Sequence, residues 1–204
     1  MKSKTGAIGT RSAKAEKTKL AILASARRAF AEHGYDGVGV RAIASGAGVT
    51  AMMVNRYFGS KEGLFGEVVT DSMREPVILS DKNLASPHIA RALAVALVGM
   101  TDMGESPLDG FLILFRSASS ETAAAIARKR IAAAHQATAR RVIKSSNAPE
   151  RAGILLAIVA GFQMMRQMMR LEVLTDADPA LLANLLASIF KTVLGRPGTT
   201  PIRI

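Results

Sequence analysis

Residues 40–58 read VRAIASGAGVTAMMVNRYF, and this stretch decides the fold. Two short apolar-periodic segments, 40–46 and 50–57, are joined by Ala47-Gly48-Val49. That length and spacing has helix-turn-helix proportions. Ala44 and Ala47 are small enough for two helices to cross closely, and Gly48 tolerates the tight turn between them. Ile43, Val49 and Val54 are predicted to point into a small core with Leu23, Phe30 and Phe58. Thr50 is predicted to cap the second segment, its hydroxyl accepting an early helical N–H.

Working outward, the segment from Lys14 to His33 has helical periodicity. Leu20, Leu23, Arg27 and Phe30 form its stripe, widened by Ile22, Ala26 and Ala29, and Gly34 is placed to end the helix in a left-handed conformation. Arg27 and Arg28 read as a solvated face. Met1 to Ala13 lacks periodicity and reads as a disordered basic arm. Downstream, Phe58-Gly59 breaks the pattern and Ser60 caps a fourth helix, with Glu62 near its positive end. Prolines at 76, 87, 107, 149 and 179 then punctuate longer helices, predicted at 61–83, 86–102, 107–117, 120–145, 149–174 and 178–194. Gly195-Arg196-Pro197-Gly198 stops the last, before a loose tail. The fold class is therefore all-α. The expected order is an arm over 1–13, a three-helix domain over 14–62 (helix-turn-helix about 39–58), and a domain of longer helices over 63–204.

Composition agrees and narrows the function. The 204 residues hold 27 Lys+Arg and 16 Asp+Glu, a formal charge of +11. Residues 1–61 hold eleven of the bases and three of the acids, so this third carries +8 and the remainder +3. A basic module on a nearly neutral body points to a polyanion partner. There are no cysteines and three separated histidines (His33, His88, His135), so no metal site and no cofactor is expected. No nucleophile triad, phosphate loop or Glu-x-x-His pairing is present, so an enzyme is not expected. The longest uncharged apolar run, Ala152–Met165, falls short of the roughly 20 residues a membrane span needs. No apolar run suited to a signal peptide follows the N-terminus, so the reading is a cytoplasmic protein without a membrane partner.

One resemblance sharpens this. Ile22-Leu23, Ala29-Phe30, Gly34-Tyr35, Val40-Arg41-x-Ile43-Ala44, Ala47-Gly48-Val49-Thr50 and Tyr57-Phe58-Gly59-Ser60-Lys61-Glu62-Gly63-Leu64-Phe65 occur in order. Over 18–65 the chain resembles the DNA-binding domain of the TetR family of bacterial transcriptional regulators. A second likeness, to one group of TetR regulatory domains, lies in Phe111–Ala118, in Met169-Arg170-Leu171-Glu172 and in Asp176–Pro179. Ordered matches of this density argue against a basic helical protein that binds DNA or membranes without specificity.

The resemblance implies roles residue by residue. Thr50 to Tyr57 would be the recognition helix in a major groove, with Thr50, Ala51 and Met52 in its base-reading first turn. Arg56 would reach a guanine or a phosphate, and Asn55, where the family commonly has Tyr, a phosphate or an adenine. Tyr57 and Lys61 match phosphate-holding positions, and Thr18, Lys19 and Arg41 would meet the backbone from helix starts. Val38 and Gly39 stand where hydroxyl residues are usual. Because Ala51 and Met52 are apolar, thymine methyls and DNA shape would carry more of the specificity.

For the rest of the chain, the apolar faces of 149–174 and 178–194 are too wide for one neighbour. They imply a homodimer, with Leu155, Val159, Leu182, Leu186, Ile189 and Val193 as candidate interface residues. The family expectation of a small-molecule effector gives Phe111, Phe115, Arg116, Phe162, Gln163, Met165 and Met168 as candidate ligand contacts. Arg116 either pairs with an acid such as Glu172 or meets an anionic ligand. The implied function is a dimeric repressor released from double-stranded operator DNA by a largely apolar ligand.

Overall fold

The computed structural model describes residues 6–102, 109–143, 145 and 147–195. Twelve α-helices follow one another among them, with no strand. They are α1 (Gly6–His33), α2 (Val40–Gly46), α3 (Ala51–Phe58), α4 (Lys61–Ser72), α5 (Asp81–Leu84), α6 (Ile89–Met100), α7 (Asp109–Arg116), α8 (Glu121–Ile131), α9 (Ala137–Val142), α10 (Ala148–Gln163), α11 (Glu172–Thr175) and α12 (Pro179–Leu194). π-helical turns over Ala132–Gln136 and Met164–Met168 extend α8 and α10. No described helix is long and apolar enough to cross a membrane.

The helices gather into two compact units that do not follow chain order. The first holds α1–α4 with α7 and α8; the second holds α5, α6 and α9–α12. In the first, the buried face of α1 is Ile22, Ser25, Ala26 and Phe30, while Leu20 of the predicted stripe is exposed. Around Phe30 gather Phe65, at 5.2 Å edge-to-face, and Tyr35, stacked at 6.1 Å. Such ring pairs add about 0.5–1.5 kcal/mol beyond area burial. Helix α7 docks on the end of α1. The Arg116 guanidinium donates to the Ala31 and Glu32 carbonyls, and the Tyr35 N–H donates to the Ser117 hydroxyl at 3.0 Å. Gly34 (φ +69°) permits this approach, since a Cβ there would lie 2.4 Å from the Arg116 carbonyl oxygen. Carbonyls left open at the end of α1 thus hold the Arg116 guanidinium.

In the second unit, α6 packs Leu93, Ala94, Leu97 and Val98 against Leu182, Ala183, Leu186 and Phe190 of α12. Arg151 of α10 donates to the Thr192 carbonyl at 2.7 Å and the Val193 carbonyl at 3.1 Å, satisfying the end of α12. Arg166, in the π turn, is 2% exposed. Its Nη1 donates to the Val98 carbonyl (2.7 Å) and the Thr101 hydroxyl (3.0 Å), its Nε donates to the Leu174 carbonyl (3.1 Å), and Asp102 lies 3.6 Å from Nη2.

Several predicted boundaries shift for local reasons. Helix α1 begins at Gly6, so residues 6–13 are helical instead of a disordered arm; residues 1–5 lie outside the described ones. The helix predicted over 61–83 stops at Ser72. Turn bonds at Met73 and Arg74 follow, and Asn83 holds the Val77 and Ile78 carbonyls, each at 2.9 Å. The helix predicted over 149–174 ends after its π turn, where Arg170 adopts φ +50°. The predicted start of α7 at 107–108 and the tail from Arg196 fall outside the described residues.

Candidate nucleic-acid interface

The α2–α3 turn is built by backbone hydrogen bonds. The Val49 N–H donates to the Ala44 carbonyl at 3.0 Å and the Gly48 N–H to the Ser45 carbonyl at 3.0 Å, with Gly48 at φ +67°. These are the two bonds of a Schellman motif, which fixes the direction of the chain as it leaves α2. The Ser25 hydroxyl of α1 donates to the Ile43 carbonyl at 2.8 Å, and a Cβ on Gly46 would lie 2.6 Å from that hydroxyl oxygen. Small residues at 44 and 46 thus let α2 lie close to α1. Val38, where the resemblance led one to look for a hydroxyl, is buried in this core.

Val54 and Phe58 bury the inner face of α3. That leaves Thr50, Met52, Asn55 and Arg56 exposed together, with Ala51 and Tyr57 half-buried at the margin. Thr50 takes the N-cap position, but its hydroxyl makes no cap bond. The turn bonds already set the start of α3, which leaves that hydroxyl for an external partner. Arg41 is exposed at the start of α2. Neither Arg41 nor Arg56 enters the ion pairs found among the described residues. Thr18 and Lys19 are half-buried on α1, and the Thr18 hydroxyl donates within its own helix to the Lys14 carbonyl at 2.9 Å.

The segment after α3 explains its glycines. Gly59 turns the chain at φ +76°. Ser60 caps α4 by accepting the Gly63 N–H at 3.2 Å, and a Cβ on Gly63 would lie 2.1 Å from the Phe58 carbonyl oxygen. This seats the start of α4 directly against the end of α3. Lys61 then projects from the first turn of α4, its Nζ 4.2 Å from the centre of the Tyr35 ring. A cation held over a ring face is favoured electrostatically, so Tyr35 orients the Lys61 ammonium. The Tyr35 hydroxyl donates to Glu62 Oε1 at 3.0 Å. Burial first, and then the neighbouring Glu62 carboxylate, push the Tyr35 pKa up to about 12. The Ser60 hydroxyl, the residue's own backbone N–H and the Tyr35 hydroxyl hold the Glu62 carboxyl below its ordinary value.

Two functional features escaped sequence reasoning. Arg27, read as a solvated cation, lies 3.9 Å from Asp71 and 3.4 Å from Asp109, linking α1 to α4 and α7. The sequence marks Tyr35 only through its place in the Gly34-Tyr35 motif, an aromatic beside the helix-ending glycine where a ring can cover the start of α4.

The other candidates separate by unit. Phe111 and Phe115 stack at 5.9 Å in the first unit with Arg116, while Phe162, Gln163, Met165 and Met168 belong to the second. Of the candidate dimer residues, Leu155, Leu182, Leu186 and Val193 are buried in the chain's own core, because half of the doubled stripe of α12 packs inward. Val159 is half-buried and Ile189 exposed. The face left uncovered carries Leu181, Leu185 and Ile189 of α12 and Ile154 of α10.

Residues 22–68 match the family model described as bacterial regulatory proteins of the tetR family, and residues 88–194 match that of the tetracyclin repressor-like C-terminal domain. The chain belongs to the TetR family. Its fold class, an N-terminal helix-turn-helix domain followed by a helical C-terminal domain, is that of this non-enzymatic DNA-binding family. Among its TetR relatives, the transcriptional regulatory protein RaaS of Mycobacterium tuberculosis is 31% identical over 156 residues, covering 74% of this chain and 72% of that one. The transcriptional repressor AcnR of Corynebacterium glutamicum is 39% identical over 64 residues, 31% of this chain and only 34% of AcnR. A TetR-family regulator from Streptomyces coelicolor superposes with TM-score 0.62 at 26% identity, over 88% of this chain and 95% of that one. NalD of Pseudomonas aeruginosa, the secondary repressor of a multidrug efflux pump, shares the fold with TM-score 0.62 at 23% identity, over 87% and 95%.

Proposed function

We propose that this TetR-family regulator is a homodimeric repressor of the bacterial cytoplasm that binds an operator through α3 and is released from it by a small, largely apolar ligand. The observation that carries the reading is the exposed set Thr50, Met52, Asn55 and Arg56 on α3, flanked by Arg41 and by a Lys61 ammonium held over the Tyr35 ring. Lys61 and Arg41 would neutralise phosphates and the Tyr57 hydroxyl would donate to one, Thr18 and Lys19 of α1 would meet the backbone as well, and Thr50, Ala51, Met52 and Asn55 would face base edges. A two-fold assembly supplies the second recognition helix for the other half-site. The uncovered Leu181, Leu185, Ile189 and Ile154 support α12 and α10 as its contact.

The ligand has only to bind the non-operator conformation better. A hundredfold release needs about 2.7 kcal/mol of differential affinity. Roughly 110 Å² of additional apolar burial would supply that, at about 25 cal/mol per Å². Within each unit the candidates are mostly apolar, Phe111 and Phe115 beside Arg116 in the first and Phe162, Met165 and Met168 beside Gln163 in the second, which supports an apolar effector. If no apolar compound changes operator affinity, the ligand drops out of this reading.

The central test is selection of bound duplexes from random-sequence DNA, followed by a salt titration of wild type and Lys61→Ala on the selected site. The expected outcome is a site with two half-sites, and a Lys61→Ala slope of log affinity against log salt that is shallower by about 1. An unchanged slope removes Lys61 from the phosphate contacts. Recovery of no preferred sequence overturns specific operator binding.

A further inference from the structure

Sulfur in this chain is all thioether, since there are ten methionines and no cysteine. Among the described residues, Met52 is 79% exposed, Met169 68% and Met165 40%, against 8% for Met73. Met52 is the second residue of α3, and Asn55 and Arg56 stand three and four residues on, on the same side of the helix. The most open thioether among these thus lies within the residues assigned to base reading.

We propose that Met52 is an oxidation switch on the DNA-reading face, through which a two-electron oxidant such as hydrogen peroxide weakens operator binding. The proposal rests on the reading of α3 as the recognition helix. A sulfur lone pair attacks one peroxide oxygen; an S–O bond forms as the O–O bond breaks. Sulfur gives up two electrons, and the second oxygen leaves as water after taking the proton of the first. The thioether packs against apolar base edges such as thymine methyls without needing a hydrogen bond. The sulfoxide is polar and chiral, so it must surrender water to occupy the same place. Methionine sulfoxide reductases reverse the change, so the switch resets. DNA laid over α3 also shields the sulfur, so free repressor is the form that reacts.

The experiment treats the full-length protein with hydrogen peroxide and maps each methionine by mass spectrometry. Affinity for the duplex recovered from random-sequence selection is then measured before treatment, after it, and after incubation with both classes of methionine sulfoxide reductase. Circular dichroism checks that the fold persists. The proposal expects Met52 and Met169 to oxidise ahead of Met73, and bound duplex to protect Met52 and not Met169. Wild type should lose about tenfold in affinity, or about 1.4 kcal/mol, and regain it on reduction. Each variant is compared with its own untreated affinity. Met52→Leu should change by less than about twofold, and Met169→Leu should respond as wild type does. Full conversion of Met52 with unchanged affinity overturns the switch, as does an equal loss in Met52→Leu. An untreated protein that prefers no duplex overturns the operator reading itself, a failure distinguishable from the other two.

Discussion

The two compact units are held together in different ways. The first positions helix ends. Around its Phe30–Phe65–Tyr35 core, single polar groups are set against close backbone approaches: Arg116 on the end of α1, Ser117 on the Tyr35 N–H, Ser25 on Ile43, and Gly34 and Gly63 where a Cβ would collide. The second positions helix faces. Leu93, Leu97, Leu186 and Phe190 pack in aliphatic rows, and Arg166 is a rare polar group in that interior. End-to-end latches fix direction and register, as the proposed presentation of α3 and the start of α4 to DNA requires. Packed faces tolerate sliding and re-packing, which suits a body whose proposed task is to respond to a ligand.

The sharpest way to break the comparison is within α12. Leu186 is 6% exposed and its neighbour Leu185 is 57% exposed. Leu186→Arg puts an unpaired charge in the core and should cost more than about 4 kcal/mol, enough to unfold the second unit. Leu185→Arg should change folding stability by less than about 0.5 kcal/mol. By the proposed assembly, though, it should convert dimer to monomer in sedimentation at micromolar concentration. Wild type sedimenting as a monomer would remove the proposed role of the outer face.

Next comes the buried cation. Arg166→Met removes the donors of the Val98 and Leu174 carbonyls and the Thr101 hydroxyl, and should destabilise by about 2–4 kcal/mol in urea unfolding. A near-zero change would mean that water replaces the guanidinium there, and that packed faces hold this part of the second unit without it.

The first unit offers a smaller effect at one atom. Gly34→Ala meets both a left-handed φ and the Arg116 carbonyl oxygen, and should cost about 2 kcal/mol. Arg27 contributes little by contrast, because its carboxylate partners are about one-third or more exposed and well screened.

The smallest effect concerns Tyr35→Phe, which loses the bond to Glu62 while keeping the ring beneath Lys61, for about 1 kcal/mol or less. Because the folded-state pKa of Tyr35 is raised from 10.0 to about 12, its contribution is fully present below pH 10 and is lost as pH rises through about 12. An ultraviolet titration should show a late-ionising tyrosine in wild type that Tyr35→Phe removes.

Local chemistry was what the sequence by itself determined. The all-helical class, the α2–turn–α3 pair with Gly48 in its turn, Gly34 in a left-handed conformation and Ser60 as a cap follow from neighbours within a few residues, where periodicity and steric limits act directly. Likewise, the surplus apolar stripe of α12 was legible. Which half of that stripe faces inward was decided only by tertiary structure, because Leu185 and Leu186 are chemically identical and only the position of α6 distinguishes them. The same holds for the arginines. Arg116, Arg27 and Arg166 look alike in a chain of +11. One caps the end of α1, one joins three helices and one is buried among carbonyls. An arginine's role depends on which unsatisfied oxygens the fold brings within reach of its five donors, and those oxygens lie 8 to 85 residues away in the chain.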